Sequence, residues 1–190
     1  MTQSLAPSKS ERTRARIFET AKSLFAERGF DGVSVRDIAE GANCDPALIM
    51  RYFGSKDGLF AEASEFNLRL PDVSGLSPEE TARRLAAHFV AIWEDRETGA
   101  RFQALLRSAP SHEPSATRLR TVFATQVVPA LANERTEPQT LSAVSSVLLG
   151  FAMTRYVLRL PPIVEMPATH LSEYVFCCLR AILSNQPEAD

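Results

Sequence analysis

The chain has 190 residues, of which 45% are hydrophobic and 23% are charged, as in an ordinary soluble globular protein. This apolar fraction is too high for a chain that stays disordered. No stretch approaches the roughly 20 consecutive apolar residues of a membrane-spanning helix, so we expect no membrane contact. Residues 1–11 are polar and lack the apolar core of a secretory signal, which predicts a cytoplasmic protein.

Charge is distributed unevenly along the chain. The net charge of −2 by itself argues against nucleic-acid binding. Residues 1–56 contain 9 basic and 7 acidic side chains, however, whereas residues 57–190 contain 12 and 16. The sequence therefore indicates a basic head and an acidic body.

The residues that most often hold metals or perform catalysis are scattered. The three cysteines and three histidines lack metal-ligand spacing, and the cysteines provide no disulfide framework. We find no nucleophile–base pair and no phosphate-binding glycine loop. The sequence therefore predicts neither a metal site nor a cofactor, and it argues against an enzyme.

Helical periodicity runs along almost the whole chain and strand signals are nearly absent, which predicts an all-α fold. Four N-terminal helices are expected at about 10–28, 34–41, 46–53 and 55–70. Gly29 and Gly41 end the first two, Asp45 caps the third, and Pro71 stops the fourth.

The second half of the chain predicts five more helices, about nine in all. They are expected at about 78–94, 97–108, 115–134, 138–159 and 168–184. The first of them follows the linker 71–77 and starts at a capping box, with Ser77 as N-cap and Glu80 three residues later. Pro129 should kink the 115–134 helix, and Pro161-Pro162 should end the 138–159 helix.

Residues 34–53 have the pattern of a helix-turn-helix: two short helices separated by a four-residue turn. Gly41 and Ala42 supply the small residues that the turn needs. Ile38, Ala39, Leu48 and Ile49 supply the apolar contacts between helices. Lys56 lies near the N-terminus of the next helix, where backbone N–H groups already attract phosphate.

Residues 13–60, TRARIFETAKSLFAERGFDGVSVRDIAEGANCDPALIMRYFGSKDGLF, strongly resemble the DNA-binding domain of TetR/AcrR-type transcriptional regulators. Three runs agree in order and spacing: AKSLFAERGF, VRDIA and YFGSKDGLF. They cover 48 of 190 residues. The resemblance implies a three-helix DNA-binding domain over 1–54, and a helical bundle over 55–190 for effector binding and dimerisation.

The resemblance also implies residue roles at the DNA. The expected DNA-binding residues are Ser34, Arg36, Pro46, Ala47, Met50, Arg51, Tyr52 and Lys56. Arginine can pair bidentately with guanine, and Pro46 and Ala47 can touch a thymine methyl group. Ser34 and Lys56 would hold phosphates. Met50 stands where the family usually has tyrosine and cannot donate a hydrogen bond.

A basic arm at the start of the first helix is a further candidate for DNA contact. Its members are Lys9, Arg12, Arg14 and Arg16. They would add backbone or minor-groove contacts.

Aromatic residues of the second domain are either ordinary core or the lining of an effector cavity. Family members commonly bind a small molecule between the helices of this domain, and such cavities are mostly apolar. The candidate lining residues are Phe89, Trp93, Phe102, Phe123 and Met153. His88, Gln126 and Arg155 are candidate polar groups that would orient the ligand.

The last two long helices carry wide apolar faces that are either internal core or a symmetric dimer interface. The residues are Val144, Val147, Leu148, Phe151, Leu171, Tyr174, Val175, Cys178, Leu179 and Ile182. The resemblance favours the interface. A two-fold dimer presents two recognition helices to a palindromic site in double-stranded DNA.

The sequence thus predicts a homodimeric DNA-binding regulator, a repressor by family habit, released by a small apolar effector. The effector would act by changing how the fourth helix, which joins the two domains, is placed. The alternative is a small-molecule-binding or scaffold protein with a vestigial DNA-binding head.

Overall fold

The computed structural model describes residues 8–132 and 137–185, and every regular element within these ranges is helical. The predicted all-α fold is confirmed. The α-helices of this part of the chain are α1 (Lys9–Arg28), α2 (Val35–Gly41), α3 (Pro46–Phe53), α4 (Lys56–Ala63), α5 (Pro78–Glu94), α6 (Arg96–Ser108), α7 (Glu113–Val122), α8 (Val128–Leu131), α9 (Pro138–Ala152), α10 (Pro161–Val164) and α11 (Ala168–Ser184).

Side-chain caps start the N-terminal helices where the sequence predicts them. The Ser34 hydroxyl accepts from the Asp37 N–H, and the Asp45 carboxylate accepts from the Ala47 N–H. The Ser77 and Glu80 side chains form the predicted capping box of α5. Each cap satisfies a backbone donor that the first helical turn leaves free, so the helix starts are determined locally.

The described residues divide into two compact units. The first unit comprises the described residues up to Phe66 together with Ala100–Ser115, and the second comprises Asn67–Gly99 together with the described residues from Ala116 onward. These units are defined by which residues pack together, whereas the predicted domains 1–54 and 55–190 are defined by their expected functions. Packing assigns α4 and most of α6 to the unit that contains α1, α2 and α3.

In the first unit, α2, α3 and α4 pack against α1. The buried stripe of α1 consists of Ile17, Ala21 and Phe25, which recur at helical spacing and are fully excluded from solvent. The ring of Phe60 on α4 meets Phe25 edge-on, with 4.9 Å between ring centroids. In the second unit, α11 packs on both α5 and α9, and its buried residues Leu171 and Leu179 lie in that core.

The fourth helix is shorter than predicted: it ends at Ala63 rather than at about residue 70. Beyond it, side chains replace the backbone partners that a longer helix would provide. Arg101 donates to the Glu65 carbonyl at 2.6 Å in the first unit. In the second unit, Gln126 accepts from the Leu68 N–H at 2.7 Å. Arg69 then adopts a left-handed φ of 46°, which no helix continues through.

Two π-helical segments, Phe123–Val127 and Met153–Val157, interrupt the helices that the sequence predicts at 115–134 and 138–159. In the first, the Val128 N–H reaches the Phe123 carbonyl, five residues back. Pro129 lacks an N–H, so it cannot continue the ordinary hydrogen-bond ladder, and the wider turn lies directly before it. The expected end of this helix at 134 lies outside the described residues.

Pro161-Pro162 ends the preceding helix as predicted but also begins α10, which the sequence did not indicate. Proline is compatible with the first helical turn because the N–H it lacks has no partner there.

The segment Pro138–Val157 is long and apolar enough to cross a membrane by length and composition, although polar residues such as Gln139 and Arg155 interrupt its apolar run. Apolar helices of soluble proteins pass the same test. Only 28% of this stretch is buried within the chain.

Ile49 and Met50 are neighbours on α3 with opposite burial, which gives a direct test of the packing. Ile49 is fully buried, whereas Met50 is 49% exposed. We expect Ile49→Ala to lower the free energy of unfolding by about 2–5 kcal/mol, because it removes three carbons from a packed core. Met50→Ala should change it by less than about 0.5 kcal/mol. Urea unfolding followed by circular dichroism measures both. Equal losses would contradict this placement of α3.

Candidate nucleic-acid interface

The turn between α2 and α3 places the two helices as a helix-turn-helix requires. Ala42 is fully buried, and Asn43 adopts a left-handed φ of 45°. The Cys44 N–H donates to the Ala39 carbonyl at 2.9 Å, which closes the turn. Burial raises the pKa of the Cys44 thiol, so the thiol is protonated at neutral pH and fills space.

The outward face of α3 presents four of the predicted DNA-binding residues together. Pro46, Ala47, Met50 and Arg51 are all exposed, while their neighbour Ile49 is buried. The first turn of α3 offers few free backbone donors, because Pro46 has no N–H and the Ala47 N–H donates to the Asp45 carboxylate. The face combines apolar contact area with one guanidinium, as readers of base edges do.

Tyr52 is half-buried and its hydroxyl is already engaged. The Tyr52 oxygen lies 3.0 Å from the Ser10 hydroxyl at the start of α1. The guanidinium of Arg51 lies 6.0 Å from the Tyr52 ring centroid. Tyr52 thus ties the end of α3 to the first turn of α1 and remains a candidate for DNA contact through its ring edge.

At the start of α2, Ser34 and Asp37 bind each other. The Ser34 hydroxyl donates to the Asp37 carboxylate at 2.6 Å, and the Ser34 N–H donates to the same oxygen at 2.6 Å. These hydrogen bonds hold the pKa of the Asp37 carboxyl below its usual value. A phosphate placed here by Ser34, as the sequence predicts, would approach an ionised carboxylate. Arg36 is exposed one residue away.

Lys56 is the first residue of α4, directly after the cap Ser55. Its Nζ lies 4.0 Å from the centroid of the Phe30 ring, within the range of a cation–π contact. The side chain is half-buried. The Lys56 side chain, which is predicted to contact phosphate, therefore packs against Phe30 in the first unit.

The predicted basic arm is only partly available to a ligand. Arg14 forms two hydrogen bonds to the Glu62 carboxylate, both 2.7 Å, and its guanidinium lies 4.7 Å from the Phe53 ring centroid. Arg16 donates to the Asn43 carbonyl at 3.2 Å. These two arginines stabilise the helix-turn-helix. Lys9 and Arg12 are exposed and remain the candidates for DNA contact.

The candidate effector residues are brought together in part. Phe89 and Trp93 are buried in the second unit with ring centroids 6.0 Å apart, and Tyr156 stacks on Trp93 at 4.9 Å. Phe102 belongs to the first unit, where it meets Phe66 edge-on. The two remaining candidates, Phe123 and Met153, are half-buried, and each is the first residue of a π-helical segment.

The three polar groups predicted to orient an effector bind the chain itself. His88 Nε2 lies 2.8 Å from the Leu68 carbonyl, and Gln126 accepts from the N–H of the same residue. Arg155 donates to the Met166 carbonyl at 2.8 Å and to Glu94 at 3.1 Å. These contacts give all three side chains a structural role.

Tyr156, which is not among the candidate effector residues of the sequence, also contacts Glu94. Its hydroxyl donates to the Glu94 carboxylate at 3.0 Å. Burial, together with the Glu94 charge, raises the pKa of Tyr156 well above its usual value.

The candidate dimer residues separate into two groups by burial. Val144, Leu171, Val175 and Leu179 are buried within the chain, so they form its internal core and are not exposed to a partner. The other six are at least partly exposed: Val147, Leu148, Phe151, Tyr174, Cys178 and Ile182. Leu149, which was not predicted, is also exposed. From the sequence alone, an apolar residue that is buried inside the chain cannot be distinguished from one on an exposed apolar face, because both recur at the same helical spacing.

Comparison with known proteins identifies both halves of the chain. The family described as "Bacterial regulatory proteins, tetR family" matches residues 17–63, and the one described as "Tetracyclin repressor-like, C-terminal domain" matches residues 79–183. The second match covers more than half of the chain.

Curated relatives match mainly the N-terminal part. The HTH-type transcriptional repressor NicS of Pseudomonas putida is 32% identical over 114 residues, which are 55% of this chain and 51% of NicS. The probable HTH-type transcriptional regulator YttP of Bacillus subtilis is 46% identical over 55 residues, which are 28% of this chain and 27% of YttP. The chain thus spans about half, or less, of the curated relatives it matches.

Among solved structures, a TetR-family regulator from Streptomyces coelicolor A3 is 26% identical, with a TM-score of 0.53. The match covers 95% of this chain and 99% of that one. The helix-turn-helix geometry, the two family matches and this full-length likeness agree, and the chain belongs to the TetR family of bacterial regulatory proteins.

Proposed function

We propose that this chain is a homodimeric DNA-binding transcriptional repressor that binds a palindromic operator in double-stranded DNA. The observation that carries the proposal is the outward face of α3, where Pro46, Ala47, Met50 and Arg51 are exposed together on a helix whose other face is buried. Membership of the TetR family supports DNA binding by residues 1–54. The name of NicS, a repressor, supports the direction of regulation.

On DNA, α3 lies in the major groove and the residues around it hold the backbone. Arg51 pairs with a guanine, and Met50 makes an apolar contact with a thymine methyl group. Arg36, Lys56 and the N-terminal turn of α4 contact phosphates, which position the protein without reading sequence.

The dimer forms through the exposed apolar parts of α9 and α11. Tyr174 is 58% exposed and Leu149 is 40% exposed, and Val147, Leu148 and Phe151 are half-buried. A soluble protein rarely leaves such a surface uncovered. A second copy related by a two-fold axis covers it and doubles the number of base pairs that are read.

A small apolar effector binds among the aromatic residues of the second unit, of which Phe89, Trp93 and Tyr156 are already in contact. The coupling to DNA does not need a long fourth helix, which ends at Ala63. α6 is the alternative helix for transmitting this coupling, because its first residues belong to the second unit and Ala100–Ser108 belong to the first. The coupling free energy is of the order of 1–3 kcal/mol and acts equally in both directions.

The second candidate function is a small-molecule-binding or scaffold protein with a vestigial DNA-binding head. Two observations favour it: Met50 replaces a tyrosine that the family usually has, and Asp37 places a negative charge at the start of α2. Salt dependence separates the two functions, since only a phosphate-binding protein loses affinity steeply as salt rises.

Replacing Arg51 tests the recognition face. In DNA flanking the chain's own gene, we expect Arg51→Ala to weaken sequence-specific binding by about 1–3 kcal/mol, because a bidentate contact to guanine is lost. Fluorescence anisotropy at about 50 and 200 mM salt measures the affinity and its salt dependence.

Arg96 provides the matched control, since it is an exposed arginine in the first turn of α6. Arg96→Ala should leave specific binding unchanged. If the unmodified protein binds DNA weakly and without salt dependence, the vestigial head is the correct function. Met50→Tyr, which restores the usual aromatic, should then increase binding.

Replacing Tyr174 tests the dimer. We expect Tyr174→Glu to convert the dimer to a monomer, because the carboxylate would be buried in an apolar interface without a partner. Sedimentation velocity measures the mass, and circular dichroism verifies that helix content is retained. Arg96→Glu is the control and should leave the dimer intact. A dimer that survives Tyr174→Glu would mean that α11 does not form the interface.

A further inference from the structure

Lys56 is the outermost member of a small cluster in the first unit, which we call the Phe30 stack: Lys56, Phe30 and His112. The imidazole of His112 lies on the Phe30 ring with 3.8 Å between centroids and planes only 20° apart. The Lys56 ammonium lies 4.0 Å from the same Phe30 centroid. The imidazole fills one face of the Phe30 ring, so the ammonium must lie over the other face.

His112 is held in place by polar contacts on both ring nitrogens. Nδ1 lies 2.7 Å from the hydroxyl of Ser115, which is itself buried. Nε2 lies 3.3 Å from the carboxylate of Asp57, the residue after Lys56. The rings of Phe60 and His112 also meet edge-on. The side chain of His112 is only 10% exposed. The imidazole therefore has a fixed position against one face of the Phe30 ring.

The backbone of Phe30 is fixed as well. Its N–H donates to the Ser108 hydroxyl at 2.8 Å, and that hydroxyl donates to the Ala104 carbonyl at 2.6 Å. Gly29 has a φ of 71°, and a Cβ there would lie 3.4 Å from the Ser108 oxygen, so glycine permits this close approach. The segment 100–115 thus determines where the Phe30 ring lies.

We propose that His112 is a positioning residue for DNA binding: it holds the Phe30 ring, and through it the Lys56 ammonium, where a phosphate arrives. This inference rests on the proposed function. Lysine is a flexible side chain that loses rotamer freedom when it grips a ligand. A cation–π contact that fixes the ammonium in advance reduces that loss. The strength of the phosphate contact then depends on residues 111–115, although none of these residues is proposed to touch DNA.

The test uses the full chain and a duplex of mixed sequence, because a phosphate contact is independent of sequence. Affinity is measured by fluorescence anisotropy at about 50 and 200 mM salt for four proteins. These are the unmodified chain, His112→Ala, Lys56→Gln and the double variant. Thermal unfolding verifies that each protein is folded at the temperature of the measurement.

Lys56→Gln should lower the slope of log K against log salt by about 0.9, the loss of one phosphate contact. His112→Ala should weaken binding about threefold to tenfold in the presence of Lys56, and by less than about 1.5-fold in the Lys56→Gln chain. A merely structural role of His112 would instead weaken binding equally in both backgrounds, and that result would overturn the proposal.

His112→Phe is the second variant, since it retains an aromatic ring against Phe30 but loses the hydrogen bonds to Ser115 and Asp57. It should bind DNA within about twofold of the unmodified chain if the ring is what positions Lys56. An affinity as low as that of His112→Ala would overturn the role of the stack.

The experiment also distinguishes the two levels of inference. If the unmodified chain shows no salt-dependent binding to any duplex, the proposed function itself fails. If the chain binds but Lys56→Gln has no effect, Lys56 is not a phosphate contact, and the positioning role of His112 fails while the DNA-binding function stands.

Discussion

The burial of one face of α3 is the constraint on which the DNA-binding surface depends. Ile49 is fully excluded from solvent, and α3 packs with α1, α2 and α4 around it. The contacts of Tyr52 with Ser10 and of Phe53 with Arg14 help to fix the rotation of this two-turn helix. With Ile49 facing inward, Ala47, Met50 and Arg51 lie on the other sides of the helix, and Pro46 is exposed at its N-terminal end. The burial of Ile49 thus helps to decide which residues of α3 a ligand meets.

The rest of the first unit stabilises this arrangement from the end of α1. Phe25 and Phe60 close the core, while Arg107 donates to the Ala26 carbonyl at 3.2 Å and Ser108 accepts from the Phe30 N–H. These polar contacts bind backbone groups that the C-terminus of α1 would otherwise leave free. The segment 100–115 therefore caps α1 and belongs structurally to the helix-turn-helix, although it is far away in sequence.

In the second unit, polar side chains that could have served a ligand instead replace missing backbone partners. His88 and Gln126 bind the two polar backbone groups of Leu68, and Arg155 binds carbonyl groups after α10. A buried backbone group without a partner is costly, so these contacts are hard to give up. A ligand in this unit would consequently be recognised mainly by aromatic and apolar contact, with Phe89, Trp93 and Tyr156 as its nearest surface.

The sequence by itself determined the starts of α2, α3 and α5, the helix-turn-helix and the family resemblance. Caps such as Ser34, Asp45 and Ser77 act within three residues, and a buried stripe such as Ile17, Ala21 and Phe25 follows from helical periodicity. These are local rules, so they can be read without a structure.

Only the tertiary structure decided what depends on contacts between distant residues. The end of α4 at Ala63 follows from side chains 36 and 58 residues away from the backbone groups they bind. The same holds for His112, which no local signal distinguishes and which meets Phe30 only through packing. Whether Leu171 and Tyr174 lie in a core or on a surface is likewise set by neighbouring helices, because both fit the same apolar periodicity.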